Sequence, residues 1–334
     1  MNVNFLRLTV LIAGILALNT GCTNDKKFIR SEGMIWNTVY HISYNGPENL
    51  QDSILPVLNN VGRSLSVFDQ SSLVSRLNNS DSLKVDADFI IVYDASKKIN
   101  RLSHGRFDPT VSPLVDAWGF GPGHQPTRDT LMIDSIMEFV GLEKTHRDGD
   151  LIIKDDIRIR FNFSAIAKGY GCDAVGEMLK RNGVKDFMIE IGGELILSGN
   201  SPSGKEWHVA VDAPVDGVNP GEQTALILAL TDVGIATSGN YRNFRMEEGR
   251  KVAHTISAVT GRPYAGEILS ATIIAPTCME ADAIATACLA SPLEEAQRLL
   301  KVSDVEGLFI FEDSMWMTPG FSKFVFEENS ATKN

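Results

Sequence analysis

The sequence predicts an α+β fold in which antiparallel or mixed sheets pack against helices. Strand-like segments follow one another with no helix between them across Trp207–Val211, Ala225–Leu230, Ala253–Ala258 and Ser270–Ala275. That order belongs to antiparallel or mixed sheets rather than to a doubly wound fold. Elsewhere short strands alternate with helical segments whose apolar residues recur at helical spacing. A composition of 43% hydrophobic and 22% charged residues suits a globular chain and excludes a disordered one.

The first residues stand outside this fold. Leu8–Leu18 is an apolar run preceded by Arg7. It is shorter than the roughly 20 residues that a bilayer-spanning helix needs and has the length of a signal-peptide core. Gly21-Cys22 follows, a small residue directly before a cysteine, as in a lipoprotein signal. Residues 1–21 are therefore read as a signal peptide, Cys22 as the lipid-bearing first residue, 22–32 as a polar tether and 33–328 as one folded unit. Such an anchor implies a place outside the cytoplasm, on a membrane surface. Cys172, Cys278 and Cys288 lie in apolar or small-residue helical patterns and read as free thiols.

Within the folded unit, Val39–Tyr44 reads as a strand. Leu50–Leu65 reads as a helix through Ile54, Leu55, Leu58, Val61 and Leu65. Asp88–Ser103 is a second helix, stopped by Gly105, and Arg128–Val140 a third. A strand Ile157–Phe161 is expected to feed a helix that runs to Arg181 and ends at Gly183. Phe187–Ile191 is a strand entering Gly192-Gly193. Met279–Leu289 and Leu293–Leu300 read as helices, and Leu308–Phe311 as a late strand.

Five stretches combine glycine, oxygen-bearing side chains and aromatics at the ends of these elements, where sites tend to lie. In Arg106-Phe107-Asp108-Pro109-Thr110, Asp108 is placed to cap a helix with Pro109 at its first position, and Trp118-Gly119-Phe120-Gly121 follows. Asn162-Phe163-Ser164-Ala165-Ile166-Ala167-Lys168-Gly169-Tyr170 spans a strand-to-helix junction, whose free N–H groups suit an anion, and Lys168 could add a cation. Glu190-Ile191-Gly192-Gly193-Glu194 lets a ligand approach the backbone closely. Thr237-Ser238-Gly239-Asn240 is followed by His254, a residue type suited to general base catalysis. In Glu280-Ala281-Asp282-Ala283-Ile284-Ala285-Thr286, Asp282 and Thr286 share one helix face and offer hard oxygen donors of the kind that bind Mg²⁺ or Ca²⁺. There is no HExxH, paired CxxC, GxGxxG or GxSxG pattern to support zinc, dinucleotide-fold or serine-hydrolase chemistry. With 31 basic against 42 acidic residues, nucleic acid is disfavoured as a partner, whereas a phosphate-bearing ligand held through a metal ion is not.

Taken together and in this order, Phe107-Asp108-Pro109-Thr110, Trp118-Gly119-Phe120-Gly121, Ala165-Ile166-Ala167-Lys168-Gly169-Tyr170, Thr237-Ser238-Gly239 and Ala281-Asp282-Ala283 resemble the ApbE family of FAD:protein FMN transferases. The resemblance runs from about Gly33 to Phe311. It implies a T-fold-like α+β architecture and Mg²⁺-dependent transfer of the FMN part of FAD to a Thr or Ser hydroxyl of a flavoprotein, with AMP released. It implies a metal site made by Asp282, Thr286 and the backbone oxygens of Ala165 and Ala285. It also implies flavin contacts from Trp36, Phe68, Arg106, Phe107, Asp108, Asn162, Lys168 and Ile256, with His254 as candidate base and Asp282 as a catalytic group. Trp36 stands where the family has Met, and Asn162 and Asn240 stand where it commonly has Asp. The expected partner is an acceptor subunit of a membrane redox complex, with the chain on the periplasmic side of a bacterial inner membrane. A Mg²⁺-dependent FAD pyrophosphatase and a non-enzymatic flavin-binding lipoprotein are the competing readings.

Overall fold

The computed structural model describes residues 28–46, 48–120, 130–215, 222–240, 244–247, 250–253 and 255–327. The leader with Cys22, and His254, lie outside the described residues. Strand β1 (Phe28–Ile35) pairs antiparallel with β2 (Thr38–Asn45), Ile35 opposite Thr38. Trp36 and Asn37 alone join them, at φ 49° and 63°. A two-residue loop with both φ positive has the twist that a β-hairpin requires. Because β1 starts at Phe28, residues 28–32 are paired into the sheet rather than forming the end of a tether. Their polar character is that of an edge strand with a wet face.

The helix α1 (Gln51–Leu65) buries Ile54, Leu58, Val61 and Leu65 along one side. After α2 (Leu73–Asn78) and β3 (Ser82–Lys84), Asp86 caps α3 (Ala87–Leu102) by accepting from the Phe89 N–H. The next helix departs from the sequence reading, because Asp108-Pro109 does not open it. The helix α4 (Ser112–Ala117) begins after Val111, with Pro113 in its first turn. Asp108 is instead a buried hub that accepts from the Thr110 N–H and hydroxyl, the Leu142 N–H and the Asn100 amide. The helix α5 (Thr130–Met137) precedes β4 (Thr145–Asp148) and β5 (Leu151–Lys154), which complete a three-stranded antiparallel sheet with β3.

The strand expected at Ile157–Phe161 is not formed; Arg160 makes only an isolated bridge to Val111. Side chains replace the missing ladder. Asn78 accepts from the Phe161 N–H at 2.7 Å and donates to its carbonyl at 2.9 Å. Lys154 donates to the carbonyls of Ile157 and Ile159. With its backbone satisfied in this way, the apolar run buries Ile159, Phe161 and Phe163 without joining a sheet.

The helix α6 (Ala167–Arg181) leads to β6 (Phe187–Ile191) and β7 (Glu194–Ser198). Next come β8 (Trp207–Asp212), β9 (Thr224–Leu230), β10 (Gly234–Gly239), β11 (Phe244–Glu247) and β12 (Arg250–Ala253). Of the expected strand Ala253–Ala258, Ala253 ends β12, and residues 255–258 form no strand: Ile256 makes only an isolated bridge to Pro263, and the chain turns there. Ser257 accepts from the Gly261 N–H and donates its own N–H to the Arg262 carbonyl. The chain continues through β13 (Ser270–Ala275), α7 (Cys278–Leu289), α8 (Leu293–Ser303), β14 (Glu306–Ile310) and β15 (Met315–Met317).

Eight antiparallel strands form the main sheet in the order β1-β2-β6-β7-β10-β13-β14-β15. Alternate residues face opposite layers. Ile196 and Ile273 pack with the helices, whereas Leu197 and Ile274 pack with the β8–β9 hairpin. Both faces of β13 are covered, so all six of its residues are buried. Among the described residues no helix is long and apolar enough to cross a membrane.

Removal of the Asn78 clamp isolates a test of the segment that replaces the expected strand. Asn78→Ala leaves the Phe161 N–H and carbonyl unpaired beside a fully buried side chain. We expect it to lower unfolding free energy by about 1–3 kcal/mol, read by chemical denaturation.

Candidate functional site

The site is built where α6 crosses α7. Gly169 is at the contact: a Cβ on it would lie 2.5 Å from the Cys278 carbonyl oxygen and 2.9 Å from the Asp282 Cβ. Its N–H donates to Asp282 Oδ2 at 3.1 Å. The helix α7 is held at its start by Thr277, which caps it, and by Asp173 of α6, which accepts from the N–H groups of Cys278 and Met279. Small residues make the helix thin enough to sit against β10, and Ser238 of that strand is 3.2 Å from the Thr286 hydroxyl. Asp282 and Thr286 lie one turn apart on α7, and Thr286 meets Ser238 of β10. Ala285 is beside Thr286, and Ala165 is in the turn that precedes α6.

Asp282 is only 2% exposed, and burial pushes its carboxyl upward against the pull of Lys168 and of the Gly169 N–H. Lys168 reaches the same region and places its ammonium 2.7 Å from Glu194 Oε1. Burial opposes the charge on Lys168, but the carboxylates of Asp282 and Glu194 outweigh it and hold the lysine protonated. Burial and the neighbouring Asp282 also push Glu194 up. Two buried acids thus share one cation, and among the described residues Glu194 Oε2 has no hydrogen-bond partner. This excess of buried oxygen donors fits a hard cation next to Asp282. Among the described residues no three His, Cys, Asp or Glu side chains cluster as a metal cage. Such a cation would therefore depend on hydroxyl and backbone oxygens as well as Asp282.

A cleft of about 290 Å³, lined in part by Lys168, lies between the β1–β2 turn, α1 and the start of α6. Its walls include Trp36, Leu65, Val67, Phe68, Ser164 and Lys168. Three of the expected flavin contacts, Trp36, Phe68 and Lys168, are thus brought together. Phe68 is 71% exposed at the rim, so its ring face is open to the cleft and to solvent. The Trp36 indole fits between two helices because both carry glycine where they meet it. A Cβ on Gly62 would come within 2.7 Å of Nε1, and one on Gly171 within 2.5 Å of the ring edge.

The remaining expected contacts occupy the adjoining loops. Asn162 donates its N–H to the Pro109 carbonyl and accepts from the Ser164 N–H, tying the 106–110 loop to the cleft wall. Phe107 is in the main core, and the hydrogen bonds of the Asp108 carboxylate are made to protein groups. Arg106 lies 3.8 Å from Glu295, and Ile256 packs in a cluster with Leu114, Ala117 and Ile133. Neither lines the cleft. The α6 cap is Ile166, which makes no side-chain bond. Cys172, Cys278 and Cys288 are free and buried, and burial pushes all three thiols up, so none is poised as a nucleophile. In the sequence Glu194 only closes a Gly-Gly stretch, and nothing local distinguishes Thr38, Gly62 or Gly171. Only their spatial convergence marks them.

The ApbE family model matches residues 36–309. The chain is 30% identical to the FAD:protein FMN transferase of Haemophilus influenzae over 341 residues, covering 94% of this chain and 97% of that protein. It is 31% identical to the Vibrio cholerae FAD:protein FMN transferase over 315 residues, covering 90% and 92%. Among solved structures, the flavin transferase ApbE from Vibrio cholerae superposes with a TM-score of 0.80 at 28% identity, over 89% of this chain and 99% of that one. The apo flavinyl transferase ApbE of Pseudomonas stutzeri gives 0.81 at 26% identity, over 89% and 96%.

The close crossing at Gly169 gives a direct test of the site's frame. Gly169→Ala forces α6 away from α7 and breaks the bond to Asp282. We expect it to lower stability by about 1–3 kcal/mol, measured by thermal unfolding.

Proposed function

The chain belongs to the ApbE family, and from that premise we propose that it moves the FMN part of FAD onto a Thr or Ser hydroxyl of a target protein. The observation that carries this is an aromatic-walled cleft lined by Lys168, whose ammonium is paired with buried acid groups, in a chain that matches FAD:protein FMN transferases over nearly its whole length. In the reaction the acceptor oxygen forms a bond to the FMN phosphorus, the bond from that phosphorus to the bridging oxygen breaks, and AMP departs with that oxygen. Catalysis of this kind rests on positioning and on charge stabilisation.

The chain's own groups divide the work. Trp36 and Phe68 offer flat apolar surface for the isoalloxazine ring. Lys168 presents its ammonium from the cleft wall to the phosphates. Asp282 and Thr286, with the backbone oxygens of Ala165 and Ala285, are the donors proposed to hold Mg²⁺. Bound there, Mg²⁺ supplies neutralisation of the pyrophosphate. His254 is proposed to take the proton of the acceptor hydroxyl. The residue after it is fixed, since the Thr255 hydroxyl donates to the Asn240 side chain at 2.6 Å. The form of residues 1–22 supports a lipid anchor at Cys22, and with it an acceptor subunit at the outer surface of a bacterial inner membrane.

Incubation of the protein with FAD, Mg²⁺ and a candidate acceptor subunit, followed by in-gel flavin fluorescence after denaturation, tests this reading. We expect a fluorescent acceptor band that chelation of the metal abolishes. Rapid release of free FMN and AMP without acceptor would assign the site to hydrolysis instead. Asp282→Ala should lower transfer about 100-fold or more while retaining measurable FAD binding. Unchanged turnover in that variant would refute the metal assignment.

A further inference from the structure

Glu194 stands out from the groups around the cleft. Its side chain is buried, one oxygen is 2.7 Å from the Lys168 ammonium, and among the described residues the other oxygen has no partner. It enters from β7, immediately after the Gly192-Gly193 turn, whereas Lys168 comes from α6. The lysine stem runs close over Gly192, which has φ 64°. A Cβ there would lie 3.3 Å from Lys168 Cδ and 2.9 Å from the Thr38 hydroxyl. The long side chain is thus guided along its stem by a glycine turn and fixed at its tip by a carboxylate. A lysine otherwise retains much rotamer freedom, and loss of that freedom on ligand binding weakens the contact.

We propose that Glu194 is a positioning residue for the flavin phosphate: it holds the Lys168 ammonium on the cleft wall, and the pair makes the site select flavins that carry phosphate over those that do not. This rests on the reading of the cleft as the flavin site. It goes beyond that reading in assigning phosphate selectivity to a buried ion pair. Its sign is distinctive. Glu194 brings either a negative charge or none, so its replacement by a neutral amide cannot make the site more repulsive to an anion. Net charge alone therefore predicts unchanged or tighter phosphate binding when Glu194 is replaced, whereas positioning predicts weaker binding.

Binding of FMN and of riboflavin to the full chain, followed by quenching of flavin fluorescence, separates these outcomes. We expect Glu194→Gln to weaken FMN about tenfold and to leave riboflavin within about twofold, the size of one charge-assisted hydrogen bond. Lys168→Gln should show the same selective loss, and the double variant should be no worse than the weaker-binding single. With FAD as substrate, the KM of Glu194→Gln should rise more than its kcat falls. If FMN and riboflavin weaken equally, or if FMN binding is unchanged or tighter, the proposal is overturned. Should Glu194→Gln fail to fold by circular dichroism, Lys168→Gln decides: an unchanged FMN-to-riboflavin ratio overturns the proposal. A wild-type chain that binds no flavin overturns the reading of the cleft itself, a result distinct from loss of selectivity in a variant.

Discussion

The site depends on one close approach, the crossing of α6 and α7 at Gly169. Nothing larger than a hydrogen fits between the α6 backbone and the Cys278 carbonyl. The same contact lets the Gly169 N–H reach Asp282. A carboxylate as buried as Asp282 is costly unless it is paired, and the crossing supplies both a backbone donor and, one residue earlier, the Lys168 ammonium. The alanines of α7 serve the same end from the other side. With no bulk at Ala281 and Ala285, the helix can lie against β10, and Thr286 can meet Ser238. Packing and chemistry are therefore not separable here: the small residues that close the core also bring the oxygen donors together.

A second constraint shapes the cleft. A two-residue hairpin loop demands positive φ at both positions, and a bulky aromatic rarely accepts it. Trp36 does so at φ 49°, with its indole seated against Gly62 and Gly171. Two glycines on two different helices accommodate one side chain, which then forms a wall beside Phe68. The tight turn thus gives the cleft an aromatic surface that a smaller residue at that position could not provide.

Much of this was legible in the sequence, for reasons that individual residues make plain. The spacing of Ile54, Leu58, Val61 and Leu65 predicts α1, and Gly183 marks the end of α6. The four-residue interval between Asp282 and Thr286 places both on one face, and in the structure Thr286 meets Ser238 while Asp282 accepts from the Gly169 N–H. What the sequence hid was long-range pairing. Ile157–Phe161 has the composition of a strand, but Asn78, 83 residues away in the chain, satisfies its backbone. Asp108 has the pattern of a helix cap, yet its carboxylate binds Leu142 and Asn100. Residues 28–32 look like a solvated tether because an edge strand with a wet face has nearly the same composition. Local pattern predicts an element when the partner groups are local, and fails when a distant side chain supplies them.

The same distinction bears on how an acidic chain can hold an anionic ligand. A formal charge of −11 describes the field far from the protein, where salt screens it within about 8 Å. At the cleft, Lys168 is the lining cation, and the buried acids that act on it are Asp282 and Glu194. Burial raises the cost of each charge and also strengthens each interaction among them. With both acids pushed toward their neutral forms by burial, the region still offers at most the single positive charge of Lys168, a deficit against the two negative charges of a pyrophosphate. A cation bound there would reverse that deficit next to the phosphates without altering the charge of the rest of the surface. Net charge thus argues against loose polyanion binding, as with nucleic acid. It does not argue against a small phosphate ligand, whose affinity is set within a few ångströms of Lys168.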